Sequence, residues 1–174
     1  MNKIKKKKHK RHPQDYYPTN KEAIEPLLDL ICFDDLVDEG WKFAEPCKGI
    51  AEGIYQYFPW NSEYAELSEG IDYLTHRWES RVNCIITNPP FSLAQEFLDK
   101  SLEEADVVIY LLRLGFLESI NRKEFNTNNP PDHLVVLSKR PSFTGNGKTD
   151  SAAYAWFIYD KENKLGLQHP FYFI

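Results

Sequence analysis

The chain has 174 residues, 42% of them hydrophobic and 14% aromatic, with a formal net charge of −5 at pH 7. That length suits one domain with one substantial core, and no run approaches the roughly 18 apolar residues of a membrane span. The N-terminus lacks a signal-peptide apolar region, and Cys32, Cys47 and Cys84 suggest neither a disulfide framework nor a zinc knuckle. A membrane protein and a metal centre are therefore not expected, and a cytoplasmic protein is.

Residues 1–12 hold six lysines and Arg11 with no acid, leaving 14 basic against 26 acidic residues in the remainder. Like charges with almost no apolar residue cannot bury enough surface to order themselves, so residues 1–14 are predicted to be a disordered basic tail and 15–174 a single domain. Such an arm can lie along phosphates, or it can simply offset an acidic body. Lys21 to Leu30, with Pro26 near its middle, reads as a helix or two short turns. The stretch from Trp41 to Ile54 reads as a short strand, a Gly-bearing turn at Gly49 and the opening of a helix, a nucleotide-type loop. Glu63 to Leu67 is a short strand carrying Glu66 about twenty positions after that loop, where such folds set a carboxylate on a ribose.

Val82 to Thr87 is a β-branched run that reads as a buried strand, ended by Asn88-Pro89-Pro90-Phe91. Ser92 to Ala105 places Leu93, Phe97, Leu98 and Leu102 at helical spacing, with Ser92 as the expected cap. Val107 to Leu112, Leu134 to Leu137 and Tyr154 to Tyr159 are three further strands. Strands alternating with helices predict an α/β, Rossmann-like fold. Its twisted sheet would be mostly parallel, with helices on both faces and an antiparallel edge hairpin from the last pair.

Asn88 to Phe91 speaks most directly to chemistry. Two prolines lack N–H groups and stop the ladder, which is expected to leave the carbonyls of the turn free. An aminated base can donate its NH2 hydrogens to the Asn88 side-chain oxygen and the Pro89 carbonyl while Phe91 stacks on its ring. Those bonds draw the nitrogen lone pair out of conjugation, so the amine can attack a methyl sulfonium in line. The plain alternative is a strand-ending turn, and Glu45, Glu66, Asp72 and the glycines likewise have ordinary structural uses.

Taken in order, these segments resemble the S-adenosylmethionine-dependent amino-methyltransferases of nucleic acids, most closely the short adenine-N6 DNA methyltransferases of bacterial viruses. The resemblance runs from about Asp15 to Asp160 and implies a class I methyltransferase fold. It also implies S-adenosylmethionine as cofactor, with no metal. By this resemblance Tyr17, Pro18 and Thr19 fold over the methionine end of the cofactor. Glu45 meets its α-amino group, and the loop of Pro46, Cys47 and Gly49 passes beneath the methionine moiety. Glu66 accepts from the ribose, Asp72 from the adenine amine with Tyr73 beside the ring, and Asn88, Pro89, Pro90 and Phe91 hold the target base. Two positions depart from the family pattern: Ala51 replaces the second glycine of a Gly-x-Gly, and Lys48 stands where small residues are common.

Two later segments, Glu118 to Asp132 and Arg140 to Ala152, follow strands at the end where ligands bind in open α/β sheets. Arg122, Lys123, Lys139, Arg140 and Lys148 are the expected nucleic-acid contacts. No separate recognition region fits in the chain, so specificity is expected to be relaxed, supplied by these loops, or supplied by another subunit, and a homodimer or a recognition subunit is the expected protein partner. The alternatives left open are another planar nitrogen acceptor, namely an RNA base, cytosine N4 or a protein glutamine, and a non-catalytic nucleic-acid-binding subunit. Deleting residues 1–12 should weaken nucleic-acid binding and flatten its dependence on salt, because fewer counterions are released. Anisotropy titrations across a salt series check this, and an unchanged slope would make the tail a solubility device.

Overall fold

The computed structural model describes residues 18–142 and 150–174. Its elements are helix α1 (Lys21–Leu30), helix α2 (Phe33–Asp38), strands β1 (Phe43–Glu45), β2 (Glu63–Tyr64) and β3 (Val82–Thr87), and helix α3 (Ala94–Glu104). They are followed by strand β4 (Ala105–Arg113), helix α4 (Lys123–Asn128) and strands β5 (His133–Val136), β6 (Tyr154–Tyr159) and β7 (Phe171–Phe173). The strands form one seven-stranded sheet in the order β2-β1-β3-β4-β6-β5-β7. Only β6 runs against its neighbours; the β4–β6 and β6–β5 pairs are antiparallel and all others parallel. The expected antiparallel pair of late strands is thus present, and β7 adds beside it.

Period-two alternation sorts the central strands between two cores. Val107, Ile109 and Leu111 of β4, with Tyr154, Trp156 and Ile158 of β6, pack against Ile24, Leu27 and Leu36 of α1 and α2. Val108, Tyr110, Leu112, Phe157 and Tyr159 face the other way onto Ala94, Phe97 and Leu98 of α3. Helices therefore cover both faces, and a strand buried on both sides reads as an unbroken apolar run. Each such side chain contributes about 1.5–3 kcal/mol by leaving water.

Several local expectations change. After the Gly49 turn no α-helix forms; the chain makes a single 3₁₀ turn over Tyr55–Tyr57. Pro59 limits its length, and Phe58 is drawn against Phe33 and Phe43 with ring centroids at 6.0 and 5.5 Å, so side-chain packing rather than helix propagation directs this segment. The N-cap of α3 is Leu93, not Ser92, and no side chain caps it; Leu93 N donates to the Pro90 carbonyl (2.9 Å), a turn that delays the helix start. Strand β7, three residues long, was too short for periodicity to announce.

The Asn126–Pro131 stretch also moves away from the ligand end. Most of Glu118–Asp132 is a return connection through α4 that enters β5 at its start, where Asp132 N bonds Ile158 O at 2.8 Å, the far end of β5 from the strand ends that carry the site. No helix among the described residues is long and apolar enough to cross a membrane.

One buried bond ties α1 to the sheet. The fully buried Trp156 donates its indole N–H to the Ala23 carbonyl (2.9 Å), in the helix that contains Pro26. Trp156→Phe should cost about 0.5–1.5 kcal/mol by removing that hydrogen bond, read as a lower urea midpoint. An unchanged midpoint would show that the bond adds nothing to the tie between α1 and the sheet.

Candidate cofactor and acceptor site

The chain leaves β1 towards β2 on one side, while β3 pairs on the other, so a crevice opens at the carboxyl ends of β1 and β3. A cavity of about 940 Å³ occupies it, within the size range of small-ligand sites. Of the residues expected from sequence, it is lined by Pro18, Thr19, Glu45, Pro46, Cys47 and Gly49, and also by Glu66, Asp72, Tyr73, Asn88 and Pro90. Pro89 and Phe91 are not among its walls, and Tyr17 and Lys148 lie outside the described residues.

Glu45 ends β1 and is only 2% exposed. It accepts from the Tyr55 backbone N–H, yet its Oε2 has no hydrogen-bond partner. Burial pushes its pKa well above the usual carboxylate range, against the pull of that hydrogen bond and the Lys48 ammonium. A buried acceptor in this state fits a ligand that brings a cationic N–H group.

Gly49 adopts φ +68°, a conformation that favours glycine, and its N–H donates to Glu66 Oε2 at 2.8 Å. Glu66 Oε1 accepts from Ser68 N (2.9 Å) and Ser68 Oγ (2.6 Å). The carboxylate therefore clips the two loops together first, and Oε2 retains a second lone pair for a hydroxyl. Asp72 is exposed at the rim, with Oδ1 accepting from Leu74 N at 3.0 Å. Tyr73 forms wall rather than stacking surface: it is 1% exposed, its ring packs on Trp78 and Phe97, and its hydroxyl bonds Ser101 and Glu104.

The two departures from the family pattern find places that leave the cavity intact. Ala51 is exposed. The close approach usually expected of a second glycine occurs at Gly53, where a Cβ would lie 2.4 Å from the Thr19 carbonyl. Lys48 turns to Glu69 (3.0 Å) and Glu52 (3.2 Å), with its Nζ 4.0 Å from the Tyr64 ring centroid. Desolvation opposes its charge, but those carboxylates outweigh it and push the ammonium up to about 12.

At the end of β3, two contacts from the Cys47 loop and one from the Thr19 segment tie down the Asn-Pro-Pro turn. Cys47 Sγ lies 2.9 Å from Thr87 Oγ1 and donates to the Asn88 carbonyl at 3.3 Å, while Asn88 Nδ2 donates to Thr19 Oγ1 at 3.1 Å. Burial pushes the Cys47 thiol far up, so it acts as a neutral bridge. The expectation of free turn carbonyls needs correction. Those of Asn88 and Pro90 are taken by Cys47 and Leu93 N, and among the described residues only the Pro89 carbonyl of the three has no donor.

Phe91 is half-buried beside the cavity, with the Arg113 guanidinium 4.7 Å from its ring centroid. Lys123, Lys139 and Arg140 are exposed, while Arg122 is half-buried over Phe116 at 4.4 Å. Sequence reading missed Gly53, Thr87, Arg113, Asp150 and Tyr154. Thr87 was already inside a recognised strand, but the partners of Arg113 are 37 and 41 positions away and carry no local signal. No group of side chains able to hold a metal ion occurs among the described residues.

No family model matches the chain, and no curated protein matches it. Among solved structures it is similar to the crystal structure of a protein from Pyrococcus horikoshii described as a "putative RNA methyltransferase". The TM-score is 0.55 at 16% identity, covering 86% of this chain and 91% of that one. The fold is thus the Rossmann-like fold of that methyltransferase structure, with a mostly parallel seven-stranded sheet.

Because the folded pKa of Glu45 is raised, its stabilising contribution is present below the ordinary carboxyl range and is lost as pH rises through the folded value. Without ligand, Glu45→Gln should therefore melt above the parent at alkaline pH and converge with it on acidification. The same change should cost about 1.5–3 kcal/mol of affinity for an amino-bearing ligand. Thermal melts across pH, with and without S-adenosylhomocysteine, check both effects; a parallel pH profile for the two proteins would contradict the burial argument.

Proposed function

We propose that this chain is an S-adenosylmethionine-dependent methyltransferase acting on the exocyclic N6 amine of adenine in DNA. The observation that carries the reading is one cavity walled on one side by Glu45, Gly49 and Glu66 and on the other by Asn88 and Pro90. When bound, S-adenosylmethionine supplies a methyl group on a sulfonium, and transfer forms an N–C bond, breaks an S–C bond and releases an amine proton. Glu45 supplies the buried acceptor for the α-amino group. Glu66 offers its remaining lone pair to the ribose, and Asp72 its outer oxygen to the adenine edge. The segment around Thr19 covers the methionine end, held down by the close approach at Gly53.

On the acceptor side, the Asn88 amide donates through Nδ2 to Thr19, which presents Oδ1 as the accepting end. The Pro89 carbonyl, on the same turn but outside the cavity's walls, would serve as the second acceptor once a base is seated. Two acceptors on an NH2 group would bind it best as its nitrogen rehybridises, so their effect would fall on the rate rather than on ground-state affinity. The similarity to a protein described as an RNA methyltransferase makes an RNA base the second acceptor to test. Exposed Lys123, Lys139 and Arg140 would meet phosphate, and a second copy or a separate subunit would add sequence recognition.

Asn88→Ala should lower the methyl-transfer rate by several orders of magnitude and leave cofactor affinity within a few-fold, whereas Asn88→Asp should retain more activity because a carboxylate still accepts. Labelled methyl transfer to duplex DNA, single-stranded DNA, RNA and protein in parallel, with identification of the methylated nucleoside, measures this. Transfer by Asn88→Ala at the parental rate would reduce the Asn-Pro-Pro-Phe segment to a strand terminus.

A further inference from the structure

Stacking of a base directly on Phe91 requires a clear ring face, and a ring face of Phe91 carries Arg113. The guanidinium sits 4.7 Å from the Phe91 centroid and is held there from two directions. Its Nε donates to Tyr154 Oη at 2.8 Å, and one Nη2 hydrogen goes to Asp150 Oδ2 at 3.0 Å. Tyr154 Oη in turn donates to the same Asp150 oxygen at 2.8 Å, and Asp150 Oδ1 accepts from Ala152 N at 3.1 Å. The Tyr154 ring lies 5.9 Å from that of Phe91, which completes a closed cluster of β4, β6 and the Asn-Pro-Pro-Phe turn.

Displacing Arg113 would strip Asp150, whose side chain is only 21% exposed, of its cation and break both bonds at once. The Arg113 side chain, 37% exposed, is the more accessible partner of the pair. Its delocalised plane stacks on nucleobases as it does on aromatic rings, a property that a lysine ammonium lacks. Its charge is already matched by Asp150, which makes it a poor phosphate anchor.

We propose that Arg113, backed by Phe91 and fixed by Asp150 and Tyr154, is the surface on which the acceptor base stacks. This rests on the nucleic-acid methyltransferase reading and assigns its acceptor platform to a residue outside the Asn-Pro-Pro-Phe turn.

The test uses the full chain, as wild type, Arg113→Ala, Arg113→Lys and Asp150→Asn. Each is titrated with a labelled, adenine-containing single-stranded oligodeoxynucleotide across a salt series, and its binding of S-adenosylhomocysteine is measured by calorimetry. Loss of one stacked base should weaken oligonucleotide binding of Arg113→Ala by about tenfold at every salt concentration, with the slope against salt unchanged. Arg113→Lys should not restore it, Asp150→Asn should weaken binding in the same direction, and cofactor affinity should stay at the parental value.

Binding by Arg113→Ala as tight as, or tighter than, the parent would overturn the proposal, because it would mean that uncovered Phe91 takes the base directly. Recovery in Arg113→Lys together with a shallower salt slope in Arg113→Ala would overturn it in favour of a phosphate contact. A parent that binds no oligonucleotide overturns it as well. Should Arg113→Ala fail to fold, the Arg113→Lys and Asp150→Asn titrations decide by the same criteria. The underlying reading fails separately, when the parent binds no S-adenosylhomocysteine, and that result leaves the oligonucleotide comparison intact.

Discussion

Parallel pairing of β1 with β3 brings two chain segments forty positions apart to the same sheet end, and the Cys47 sulfur joins them there. With its thiol against Thr87 Oγ1 and the Asn88 carbonyl, the loop that shapes the cofactor side cannot shift without moving the turn that shapes the acceptor side. The Thr19 segment closes the same arrangement from above, resting on Gly53 and bonding Asn88. The proposed in-line methyl transfer needs donor and acceptor held to a fraction of an ångström; on that reading the holding comes from strand pairing and three short contacts.

Charge within the site is arranged by burial. Glu45 sits desolvated at a strand end, Glu66 is engaged by backbone donors, and Asp72 remains at the surface. These three carboxyls thus offer a buried acceptor, a structural clip with spare capacity and an exposed acceptor. Lys48, which departs from the resembled pattern by standing where small residues are common, lies in a rim network with Glu52, Glu69 and Tyr64. That network braces the loop from outside, and the exposure of Ala51 shows why a second glycine at that position is not required.

The acceptor side is built differently. Phe91 lies under a guanidinium belonging to β4, and Asp150, far along the chain, holds that guanidinium. The amide and the aromatic ring of a single tetrapeptide therefore have separate environments: Asn88 lines the cavity, while Phe91 belongs to a cluster beside it.

Strands β3 and β6 were legible to the residue, because a strand buried on both faces is an uninterrupted β-branched and aromatic run bounded by turn residues. The amphipathic spacing of α3 and the acids at the ends of β1 and β2 were legible for the same reason: local chemistry repeats at the period of the element. Half of the residues lining the cavity were named from the sequence, among them Glu45, Gly49, Glu66, Asp72 and Asn88, which lie at or just after strands or in the turns that follow them. What only tertiary structure decided were relations between distant segments. Phe58 packing on Phe33 and Phe43 overrode the expected helix, Gly53 rather than Ala51 took the close approach, and Arg113 came to cover Phe91. Each outcome depends on the pairing of β1, β3, β4 and β6, and residues brought together by that pairing carry no signal of it in their own neighbourhoods.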